Sequence, residues 1–85
     1  MGRERVDVGL ERIMARIPEH APSIQNRFHD DSSFRDMCSD YAEALEALQR
    51  WQASEAPQQA ARIEEYRELA KALEIEMVTA LRRPP

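Results

Sequence analysis

Apolar residues recur at alternating steps of three and four along two stretches of this chain. The first stretch runs Phe34, Met37, Tyr41, Ala44, Leu48, Trp51, and the second runs Ile63, Tyr66, Ala70, Leu73, Met77, Ala80. This is the spacing by which a helix presents one seam to another helix. It predicts a helix over 32–52, a turn over 53–57 and a helix over 55–82. A link this short makes the two helices antiparallel neighbours. Each is long, and the first spans about 30 Å at about 1.5 Å per residue.

Upstream, Val6, Leu10, Ile13, Met14 and Ile17 fall at helical spacing among charged residues and predict an amphipathic helix over 4–17. Gly9 lies inside it, at a cost of about 1 kcal/mol relative to Ala. Pro18 ends it, because a residue before proline is pushed out of the helical region. Residues 18–31 form a proline-containing connector. Pro22 suits the first position of a short helix there, with Ile24 and Phe28 as its apolar side. Ser33 and Asp36 make a weak capping box for the next helix, and Ser54 is placed to cap the last one with Pro57 in its first turn. Arg82 and Arg83 suit the final helix end, and Pro84 with Pro85 close the chain.

Both long helices carry a third apolar column, with Cys38 and Leu45 widening the first seam and Leu69 and Leu81 the second. That width exceeds what one hairpin buries. Ile75 lies opposite the seam with Val78 at its flank, as if another surface covered that side. The fold expected is therefore all-α, a single domain over 1–85. A long antiparallel helical hairpin is joined by a short N-terminal amphipathic helix, and a homodimer completes a four-helix-type bundle. A monomeric three-helix bundle is the alternative. The residues expected to form the core and interface are Phe34, Met37, Tyr41, Leu45, Leu48, Trp51, Ile63, Tyr66, Leu69, Leu73 and Met77.

Composition changes this picture little. The net charge of −4 argues against a general nucleic-acid binder, which shows a basic face. Eleven of the twelve basic residues are Arg, a skew that with the many Ala suggests a GC-rich bacterial genome. No apolar run reaches the length of a membrane span, and the first twenty residues are charged throughout, unlike a secretory signal. One cysteine, Cys38, permits no intrachain disulfide and suits the cytoplasm.

Candidate chemistry is sparse. His20, His29, Asp30 and Asp31 are the one cluster with metal-ligand side chains, although their spacing matches no metal signature. Their bland reading, a polar connector whose Asp residues cap a helix, is preferred. Cys38 lies on the apolar face and reads as a small core residue. Asp36, Asp40, Glu43 and Glu46 form an acidic outer face, and Arg3, Arg5, Arg12, Arg16 and Arg27 concentrate positive charge near the N-terminus. Both read first as solvated helix surfaces. No glycine-rich phosphate loop or nucleophilic triad is present, no cofactor is implied, and no motif points to a named family.

The function expected is that of a non-enzymatic helical interaction or adaptor protein. It would dimerise and bind an unknown protein partner through the acidic face or the groove beside the N-terminal helix. A metal-binding connector is the alternative. A regulator touching nucleic acid through the N-terminal arginines ranks below that.

Overall fold

Asp31 starts the first of the two long runs of seam residues. Its Oδ1 accepts hydrogen bonds from the backbone N–H groups of Ser33 at 2.9 Å and Phe34 at 3.3 Å. These are two of the donors that a helix start leaves unsatisfied. The expected capping box at Ser33 and Asp36 is thus replaced by a cap two residues earlier. An Asp with extended backbone just ahead of the helix reaches those N–H groups directly.

The computed structural model describes residues 2–83, with side chains from Arg5 onward; Pro84, Pro85 and the side chain of Arg3 lie outside the described residues. Four α-helices follow in order: α1 (Gly2–Arg16), α2 (Ala21–Asp30), α3 (Ser32–Gln52) and α4 (Gln59–Arg82), with a 3-10 turn at Pro18–His20. No strand occurs among the described residues. Pro18 holds Ile17 out of the helix at φ −131° and ψ 69°, which ends α1 at Arg16. The connector is more helical than expected. α2 carries Ile24 fully buried and Phe28 half-buried.

The last helix begins at Gln59, four residues later than the pattern suggested. Ser54 is not its cap. The Ser54 hydroxyl accepts from the N–H of Ala56 at 3.0 Å, closing a local turn instead. Pro57 then keeps Ala56 from helical geometry. The Gln59 side chain donates to the carbonyl of Gln52 at 3.1 Å and ties the two helix ends together.

α3 is the centre of the packing, with α4 against one flank and α1 against another. α3 and α4 run in opposite senses: Met37 shares a cleft with Ala80 and Leu81, Tyr41 bonds Glu74, and Leu48 shares a groove with Glu64 and Arg67. α1 meets α3 at Gly9. A Cβ built on Gly9 would lie 1.9 Å from the carbonyl oxygen of Cys38, so a side chain there has no room. Ala42, one helical turn on from Cys38, is also fully buried. α2 contacts α1, α3 and α4 and closes one end.

The core gathers Ile13 from α1, Ile24 from α2, Phe34 and Cys38 from α3 and Met77 from α4, all fully buried. The third apolar column of α3 is therefore met in part within one chain, since α1 covers Cys38. The rest of the seam is not. Leu45, Leu48, Trp51, Ile63 and Tyr66 are only half-buried, toward the turn that joins α3 to α4.

Arginines lock the corner between α2 and α3. Arg35 donates through Nη1 to the carbonyls of Phe28 at 2.7 Å and His29 at 3.2 Å, satisfying the end of α2. Arg27 lies 3.7 Å from the Asp31 carboxylate and also donates to the carbonyl of Arg83, just past α4. A guanidinium at these carbonyl ends complements the negative pole of each helix.

Candidate interaction groove

A groove of about 580 Å³ opens where α1 and α4 part over the second half of α3. Tyr41, Leu45 and Leu48 supply its apolar floor. Arg12 and Arg16 stand on the α1 side, and Glu64, Arg67, Glu68 and Lys71 on the α4 side. Helical spacing along α3 puts the floor residues on one stripe; Tyr41 at its head is buried, and the parting of the two neighbours leaves Leu45 and Leu48 only half-covered.

One polar network crosses the groove. The Tyr41 hydroxyl donates to Glu74 Oε2 at 2.7 Å, and Arg16 Nε lies 3.4 Å from the same oxygen. Burial pushes the Tyr41 phenol well above its ordinary range, and the hydrogen bond to the Glu74 carboxylate adds to the rise. Tyr41 thus acts as a neutral donor that anchors α4 to α3.

The two charged faces expected from sequence meet each other. Arg5 of α1 pairs with Glu43 at 2.9 Å and Glu46 at 3.4 Å on α3. Arg16 is committed to Glu74 and Arg27 to Asp31 and the end of α4. Much of the basic N-terminus therefore serves to hold helices together, and part of the acidic face is neutralised. Arg12 stays exposed.

Of the expected core and interface residues, Phe34, Tyr41, Leu73 and Met77 are buried, and Met37, Leu45, Leu48, Trp51, Ile63 and Tyr66 are half-buried. Leu69 is 45% exposed, on a second cleft between α3 and α4 that Tyr66 and Leu73 also line. The side chains of His20, His29, Asp30 and Asp31 are not brought together. Asp31 caps α3, while His29 and Asp30 face solvent on α2. Among the described residues no group of three or more His, Cys, Asp or Glu side chains is placed to hold a metal ion. Cys38 is a buried free thiol whose pKa burial pushes up to about 12.

Sequence reasoning missed Gly9, Arg35 and Glu74. Gly9 had a signal: it lies on the same helical face as Val6 and Ile13, where a small residue marks a close approach. Arg35 and Glu74 had none, since each acts through a partner distant in sequence or across a corner.

Among the described residues no helix is long and apolar enough to cross a membrane. Comparison with protein-family models, with curated proteins and with solved structures finds no match. The described residues form an all-helical bundle in which α1, α2 and α4 pack around α3.

Proposed function

We propose that this chain is a non-enzymatic interaction module of the adaptor kind, working as a homodimer that presents helical surfaces to a protein partner. The observation that carries this reading is the uncovered part of the seam. Leu48, Trp51, Ile63 and Tyr66 are only half-buried although the heptad repeat continues through them, and Leu45 of the widening column is half-buried beside them. Two helical walls over an apolar floor form the shape into which a further helix lays its apolar face. The charged rim of the groove supplies the polar border that such contacts carry. Its place is the cytoplasm, where a lone thiol stays reduced.

Sedimentation equilibrium at micromolar concentration tests the reading. A dimer mass, reduced to a monomer mass by Leu48→Arg in a chain whose helix content by circular dichroism is unchanged, supports it. A monomer mass for the natural sequence overturns it.

A further inference from the structure

The outward face of α4 has a charge pattern that matches itself reversed. Ala60, Glu64, Arg67, Glu68, Lys71 and Ile75 are all exposed, and their spacing places them within about one third of the helix circumference. Read along the helix, the face is apolar, acid, base, acid, base, apolar. A two-fold axis between Arg67 and Glu68 sets Glu64 against Lys71 of the second copy and Arg67 against Glu68 of the second copy. Ala60 then meets Ile75 of the second copy, and each contact occurs twice. This is the residue-for-residue reciprocity that a two-fold interface requires. A parallel pairing in register would set like charge on like.

Two further observations bear on this face. Ile75 is 62% exposed, the most exposed of the large apolar side chains among the described residues, and Val78 beside it is half-buried. Arg62 closes an ion pair with Glu65 at 2.7 Å on the same helix, whereas Glu64, Arg67, Glu68 and Lys71 close none among the described residues. All four of these charges lie on the wall of the open groove.

We infer that the second copy docks antiparallel along α4, with the axis at Arg67 and Glu68. This rests on the dimer reading above and sets the contact along the α4 wall of the groove whose floor holds Leu45 and Leu48. The contact is rich in ion pairs near the surface and weakens as salt rises.

The test uses the full chain by sedimentation equilibrium at low salt, with folding checked by circular dichroism. The all-acid variant Arg67→Glu/Lys71→Glu and the all-basic variant Glu64→Lys/Glu68→Lys should each self-associate at least tenfold more weakly. An equimolar mixture of the two should form a heterodimer. The fourfold reversal Glu64→Lys/Arg67→Glu/Glu68→Lys/Lys71→Glu stays self-complementary and should still dimerise. Under mild oxidation Glu68→Cys should cross-link to its own copy, and Ala61→Cys, far from the axis, should not. A dimer unaffected by the all-acid change, or abolished by the fourfold reversal, overturns the α4 pairing and leaves the dimer reading standing. A monomeric natural sequence overturns both.

Discussion

Gly9 and Cys38 bring α1 and α3 together backbone to backbone, with room for no Cβ: one built on Gly9 would lie 1.9 Å from the Cys38 carbonyl oxygen and 2.6 Å from its carbon. The atoms in the way belong to the main chain of a helix and cannot rotate aside. In an exposed helix, replacing Gly by Ala stabilises by about 1 kcal/mol. Here the sign reverses. Gly9→Ala is expected to destabilise by about 2–3 kcal/mol, as overpacking does in a filled core. The midpoint of urea unfolding measures this, and a stabilised Gly9→Ala chain would mean that α1 does not pack on α3 in this way.

The start of α3 separates two caps by one substitution each. Asp31→Ala removes the acceptor for the N–H groups of Ser33 and Phe34 and should cost about 1 kcal/mol. Ser33→Ala should change stability by a few tenths of a kcal/mol at most, since its side chain caps nothing. Equal effects at the two positions would return the cap to Ser33.

Burial along the seam is graded, and truncation should follow it. Phe34 is fully buried, and Phe34→Ala should cost about 3–5 kcal/mol. Leu73, 8% exposed, should cost about 2–4 kcal/mol as Ala. Half-buried Leu48 should cost about 1 kcal/mol when measured on the monomer, because solvent already reaches its site. The same Leu48→Ala chain measured at dimer-forming concentration should lose more. Chemical denaturation at two protein concentrations separates these effects.

Alkaline pH should weaken the fold through Cys38 and Tyr41. Both groups are neutral when folded and have raised pKa values, Cys38 to about 12 from an ordinary 9.0 and Tyr41 well above 10.0. The unfolded chain releases these protons first. The stability each contributes is therefore complete below its ordinary pKa and is lost as pH climbs through the folded value. Unfolding free energy should fall as pH rises above about 9. The fall should be shallower in Cys38→Ala and, above about 10, in Tyr41→Phe. Thiol reagents should leave Cys38 unmodified in the folded chain at neutral pH; rapid modification there would show that it is not enclosed by α1.

The apolar periodicity by itself determined that residues 32–52 and the stretch carrying Ile63 to Ala80 are helices with one wet and one dry side, because a repeat of three and four has no other regular solution; the start of the second, at Gln59 and not at 55, was set by the turn. Proline chemistry likewise marked where α1 stops to within a residue, expected at Ile17 and found at Arg16. Which helix covers which column was decided only in three dimensions. Cys38 and Leu45 widen the same seam in sequence, yet α1 buries the first and leaves the second half-open, since backbone contact at Gly9 fixes where α1 crosses. The fate of the charges was equally tertiary. Arg5 and Glu43 are thirty-eight residues apart and pair only because α1 lies beside α3, so a basic arm and an acidic face that look available in the sequence are partly spent on each other. Local spacing sets the faces of a helix through steric and hydrogen-bond geometry. The partner of each face depends on long-range packing that a one-dimensional pattern does not encode.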